Sequence, residues 1–182
     1  MNRRVQNLVH TFKRTFYNSA GIIVPSGSGF SFNAWTFTLN QLPNVTDFTS
    51  LYDQYKINGI KFTLIPRHTE VPMNTSVGLQ VMSVLDFDDD VAPTSINDLC
   101  QYGNMKQTRG NINHSRYFRP TIRKSVDVAG ASPGYQVSKS EWLDLANTVV
   151  KHYGLKYAIE QGNVAVTYDL KIDMYFQCKN LH

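Results

Sequence analysis

Asp86, Asp88, Asp89 and Asp90 place four carboxylates within a run of five residues around Phe87. Clustered carboxylates are hard oxygen ligands, so calcium binding is the first chemistry to test. An EF-hand loop begun at Asp86 needs glycine at its sixth position and glutamate at its twelfth, where Val91 and Asn97 stand. The run therefore reads as an acidic loop ending a strand. Four such groups repel one another, and a neighbouring chain's Lys or Arg, or a cation, would relieve the cost. Asp86, Asp88, Asp89 and Asp90 are accordingly expected at a subunit contact or rim. Histidines 10, 68, 114, 152 and 182 show no HxH, HExxH or HxxxH spacing, so no zinc site is legible. Cys100 and Cys178 form no CxxC and read as two buried or half-buried thiols. The Ser26-Gly27-Ser28-Gly29 run lacks the GK[ST] ending of a P-loop, and no GxSxG elbow occurs. No catalytic constellation emerges, and the expectation is a protein that is not an enzyme and needs no cofactor.

The basic residues are segregated from the acidic ones. The formal net charge is +4, yet no acid precedes Asp47, while Arg3, Arg4, Lys13 and Arg14 all do. A second acid-free stretch between Asp98 and Asp127 carries Lys106, Arg109, Arg116, Arg119, Arg123 and Lys124. Segregation of this kind makes one surface positive, which suits a polyanion. Aromatics interleave with these charges, as in Phe12-Lys13-Arg14-Thr15-Phe16-Tyr17 and Arg116-Tyr117-Phe118-Arg119. Such mixtures supply stacking faces and phosphate contacts in single-strand binders. On a strand, however, Phe12 and Phe16 would enter the core and leave Lys13 and Arg14 for phosphate. The candidate nucleic-acid contacts are thus Arg3, Arg4, Lys13 and Arg14, with Arg116, Arg119, Arg123 and Lys124 as the next set. Contact through them would be independent of base sequence.

The elements that must carry these residues are strands. Val164, Val166, Tyr168, Leu170, Ile172, Met174 and Phe176 occupy alternate positions, with polar residues between the later ones. That alternation predicts one long strand, buried on one face and wet on the other. Residues 152–160 read as a strand interrupted by Gly154, and with the Gly162-Asn163 turn the two are expected to form a hairpin. Residues 55–64 alternate in two halves with a slip at Gly59, where a bulge would sit, and Pro66 closes the strand. Further strands are expected over 8–17, 30–39, 77–85 and 115–128 around Pro120, with a short piece near Met105. Helical turns are expected at 46–51 and 94–99, begun by Thr46 and Thr94 as caps, and at 140–145. With 182 residues, 42 % of them hydrophobic and 12 % aromatic, the chain is long enough to bury a core without staples. No window approaches a membrane span, and Met1-Asn2-Arg3-Arg4 leads into no apolar signal segment. One antiparallel all-β domain over residues 1–182, a sandwich or barrel, is the reading.

Several motifs together carry a family likeness. An F-x-L-x-x-L-P strand end from Phe37 to Pro43 leads into a short turn and then Tyr52-Asp53-Gln54-Tyr55-Lys56-Ile57. Ile60-Lys61-Phe62, Pro66-Arg67, the acidic run, Trp142-Leu143 and His152-Tyr153-Gly154-Leu155-Lys156 follow. This pattern resembles the capsid proteins of circovirus-like circular single-stranded DNA (CRESS-DNA) viruses over most of the chain. The resemblance implies an eight-stranded antiparallel jelly roll of two four-stranded sheets, with short helical turns in its loops. It also implies self-assembly into a T=1 icosahedral shell of about sixty copies. That shell would enclose single-stranded DNA. The protein would then be a virion component assembled in the host cell, the nucleus being one candidate site, with itself and nucleic acid as partners and no membrane. Family members usually begin with a long arginine-rich arm, whereas only Arg3 and Arg4 precede the first strand here, so that arm is expected to be largely lacking. The rival is a monomeric jelly-roll or β-barrel module that binds single strands or glycans. A cupin-like enzyme is disfavoured, because no histidine cluster could hold its metal.

Overall fold

The computed structural model describes residues 8–67, 79–126 and 134–181. The long alternating segment becomes β11 (Val166–Leu181), the spine of the first sheet. Its even-numbered face, Val166 through Cys178, is buried, whereas Val164 lies before the strand and is exposed. Strands β1 (His10–Val24) and β3 (Tyr52–Pro66) flank β11, and β6 (His114–Phe118) and the short β9 (Leu143–Asp144) line the far edge of β3. Register sets Phe12 opposite Phe176 and Phe16 opposite Ile172, so both rings join the core as expected. Strand β1 runs past Tyr17 because a bulge between Asn18 and Ile22 absorbs the break in pattern. Gly21 sits in that bulge at φ +70, where a Cβ would press on Thr167 and the Tyr168 carbonyl.

The second sheet is built on β10 (His152–Glu160), with β2 (Phe30–Phe37) on one edge and β4 (Gln80–Val84) on the other. Strand β5 (Lys106–Arg109) pairs with β4, and β7 (Thr121–Val126) meets β10 at Thr121 and pairs with β8 (Gly134–Lys139). The expected hairpin of residues 152–160 with the final strand is therefore wrong. Strands β10 and β11 lie in different sheets, because each is a central strand whose neighbours are already filled on both edges. The sheets face one another across rings such as Phe62 and Tyr157, 5.8 Å apart between centroids. Strands β1, β11, β3 and β6 against β2, β10, β4 and β5 give the eight-stranded framework of a jelly roll. Strands β7, β8 and β9 are additions, so eleven strands stand among the described residues where eight were expected.

Helices are short. Helix α1 (Thr46–Thr49) has Val45 at its cap and no side-chain bond there, so Thr46 is not the cap expected. Helix α2 (Ile96–Cys100) is capped by Ser95, one residue after Thr94, with Ser95 and Asp98 bonding reciprocally. It covers the outside of the second sheet, where Leu99 packs with Met82, Val84 and Ala158. Residues 140–145 make strand β9 and lead into a 3-10 turn at Leu145–Asn147, in place of one helical turn. The start of the segment expected over 77–85 lies outside the described residues.

Candidate nucleic-acid interface

Period two decides what the outer face of the first sheet carries. With the even positions of β11 in the core, Lys171, Asp173, Tyr175, Gln177 and Lys179 point away from it. Register brings Lys61 opposite Asp173, Lys56 opposite Gln177, Lys13 opposite Tyr175 and Tyr117 opposite Lys61. Lysines and aromatic rings are interleaved across this face. Lys13 lies over Tyr175 at 5.5 Å, Lys171 over Tyr17 at 6.0 Å, and Lys56 and Lys179 over Trp142 at 4.8 and 4.4 Å. Two carboxylates of β11 share the face, and both are occupied. Asp169 accepts from Arg67, and Asp173 accepts a 2.5 Å bond from Thr15 and pairs with Lys13 at 3.7 Å. Asp173 is buried by these contacts although its position alternates with the core.

Of the candidate nucleic-acid contacts among the described residues, the structure gathers only two on this face. Lys13 is one and Arg119 is the other, the latter lining a depression with Lys56 and Tyr117. Arg14 is not beside Lys13 but on the opposite, core-facing side of β1, opposite Met174, with its guanidinium 5.4 Å from the Phe48 ring. The expectation that basic residues alternate with the aromatics fails there, because Phe12, Arg14 and Phe16 share one parity. Arg116 faces the same way as Phe62 and donates to the Asn104 and Ser83 carbonyls, so it braces a turn. Arg123 and Lys124 belong to the β7–β8 hairpin in the other sheet. There Arg123 covers Tyr135 and Tyr153, and Lys124 pairs with Glu141. Arg3 and Arg4 lie outside the described residues. Sequence reading missed Lys56, Lys61, Lys171 and Lys179. Alternation along residues 56–62 and 166–179 carries that signal, once it is read for the wet face as well as the buried one.

The acidic run is resolved within the chain. Lys156 is a buried lysine on the outer side of β10, roofed by residues 86–98, and its Nζ lies 2.7 Å from Asp86 and 2.6 Å from Asp89. Burial opposes the charge on Asp86, yet hydrogen bonds from Asp88, Lys156 and Tyr102 outweigh it and hold the carboxyl far below its usual range. Asp88, sharing a proton with Asp86 and facing Asp89, is raised. Lys156 stays protonated because the two carboxylates overcome its own desolvation. Asp90 takes Lys151 at 2.8 Å. The expected relief by a neighbouring chain is thus supplied, for three of the four, by lysines of this chain. The oxygens of Asp86, Asp88 and Asp89 lie within 4.8 Å of one another, and a lysine ammonium already serves as their cation.

His114 and His152 are buried single histidines and not members of a cluster. His114 bonds Ser83 and Thr108 at 2.7 and 2.8 Å, and burial first, then Lys106 and Arg116, lowers it to about 4. Burial likewise lowers His152 to about 4. Both cysteines are free, and Cys178 is buried in the core as expected, whereas Cys100 is exposed at the end of α2 and not buried or half-buried.

Comparison with known proteins gives a consistent picture. Residues 1–182 match the model of a family described as circovirus capsid protein. The fold is similar to the crystal structure of the 60-mer BFDV capsid protein, with TM-score 0.76 and 18 % identity over 96 % of this chain and 95 % of that one. It is also similar to the decameric BFDV capsid protein, with TM-score 0.65 and 19 % identity over 94 % and 99 % of the two chains. Cucumber necrosis virus gives TM-score 0.62 and 12 % identity over 96 % of this chain and 57 % of that one. No curated protein matches by sequence.

Proposed function

The chain belongs to the circovirus capsid protein family and is a shell component of a virion, and from that premise we propose that about sixty copies close into an icosahedral particle around single-stranded DNA. The basic face of the first sheet is turned toward that cargo. The observation that carries the reading is the interleaving of Lys13, Lys56, Lys61, Lys171 and Lys179 with aromatic rings on one open sheet face. Backbone-directed contacts of this type neutralise phosphate, release counterions and do not read sequence. The 60-mer BFDV capsid protein supports a closed assembly of this fold.

Loop 86–90 is the second part of the proposal. Three of its four carboxylates pair with lysines of the same chain, but Val91 nearby is 66 % exposed, which suits a rim between copies. Size-exclusion chromatography separates the proposal from a monomeric binding module. A megadalton peak with an elevated 260/280 nm ratio supports the shell, and a lone peak near the chain mass of 20.7 kDa contradicts it. In the quadruple variant with Lys56, Lys61, Lys171 and Lys179 changed to glutamine, particles should persist while the absorbance ratio falls.

A further inference from the structure

The slip at Gly59 has a consequence for the basic face. Between Ile57 and Gly59 the register with β11 shifts, so Asn58 is the extra residue and joins Lys56 on the outer side. Opposite it, Tyr117 lies down on the strand. A Cβ on Gly59 would stand 2.5 Å from the Tyr117 hydroxyl and 2.9 Å from its ring, so the missing side chain leaves the room in which the ring lies. The ring meets Tyr175 edge-on at 5.9 Å and remains 58 % exposed. Lys56, Asn58, Tyr117, Arg119 and Ser140 line one depression of about 330 Å³ beside it. Ser140 holds φ +53, a left-handed conformation uncommon outside glycine and often kept at binding sites. Among the described residues no carboxylate lies within ion-pair range of Lys56 or Arg119. A bulge, a glycine that makes room for an exposed ring, a strained serine and two cations without a carboxylate partner thus converge on one depression, at the small end of ligand-pocket volumes.

We propose that this depression is a single-nucleotide pocket of the particle's inner face. Lys56 and Arg119 hold one phosphodiester, Asn58 and Ser140 supply hydrogen bonds, and the open face of Tyr117 stacks on the adjoining base. The proposal rests on the nucleic-acid reading of the basic face. It goes further by replacing a diffuse positive surface with a fixed anchoring point in every subunit.

The test uses the purified full chain and a fluorescein-labelled oligothymidylate, with an abasic oligomer of equal length as second probe. Affinity is read by anisotropy across a salt series. Single-strand contacts contribute ~0.7 each to the log–log salt slope, so K56Q/R119Q should reduce the slope by about 1.4. The control pair K61Q/K171Q, on the same face but outside the pocket, should lower affinity less for an equal loss of charge. Loss of one stacked base typically costs ~1–3 kcal/mol, so Y117A should weaken oligothymidylate about 5- to 150-fold. Y117F should bind as the wild type, and Y117A should bind the abasic oligomer as the wild type does. Equal losses from the two double variants, or a Y117A defect that is the same for both probes, overturns the pocket and leaves the diffuse face standing. Failure of the wild-type protein to bind either probe overturns both readings.

Discussion

Lys156 shows how much a single buried charge depends on its partners. Its side chain is 7 % exposed and its ammonium touches Asp86 and Asp89, so removing it strands carboxylates in a site built for an ion pair. Breaking such a pair from one side costs about 3–5 kcal/mol, and Lys156→Met should lower the unfolding free energy by that order in urea titration. The two buried histidines set a pH dependence. Both have folded values near 4, below the ordinary 6.5, so the unfolded chain binds more protons between those limits. Stability should therefore be complete above about pH 6.5 and decline as pH falls toward 4, each group contributing up to about 1.4 kcal/mol per pH unit. Replacing His114 with glutamine should flatten the unfolding free energy against pH over that window. Neither feature was legible in the sequence. A lysine in a strand pattern reads as a solvated position, and only the fold brings residue 86 beneath residue 156. The acidic run reads as a loop after a strand, whereas its pairing with Lys151 and Lys156 of the same chain takes the fold to see.

At the level of elements, alternation was the dependable signal. It locates β10 over residues 152–160 and β3 with its bulge, whereas the 115–128 segment, expected as one strand around Pro120, is divided there into β6 and β7. Pairing was harder, because Gly162-Asn163 reads as a hairpin turn yet serves a crossing between sheets. Caps also slipped by a residue, since a threonine and a serine in succession offer equivalent oxygens. Ser95 accepts from the Asp98 amide at 3.2 Å, and its change to alanine should cost about 1 kcal/mol of stability. Changing Thr94 to alanine leaves that bond in place and should cost less, which thermal unfolding of the two variants will rank. The basic face followed from the same alternation but was obscured by attention to charge runs. Arg116, Arg123 and Lys124 are neighbours in the chain and are spent on separate tasks in the fold.

For the whole molecule, the account joins a jelly-roll shell subunit to one basic, aromatic-studded sheet face. The family likeness in the sequence already implied fold and assembly, whereas the location of the cargo face required the sheet register. The direct measurement is an electron cryo-microscopy reconstruction of purified particles, in which the direction of that face can be seen. The account predicts a closed icosahedral particle with Lys61, Lys171 and Tyr117 lining its lumen, and density from nucleic acid against the Lys56–Arg119 depression. A particle with these side chains on its outer surface or sealed between subunits would contradict it, as would a preparation containing only isolated chains.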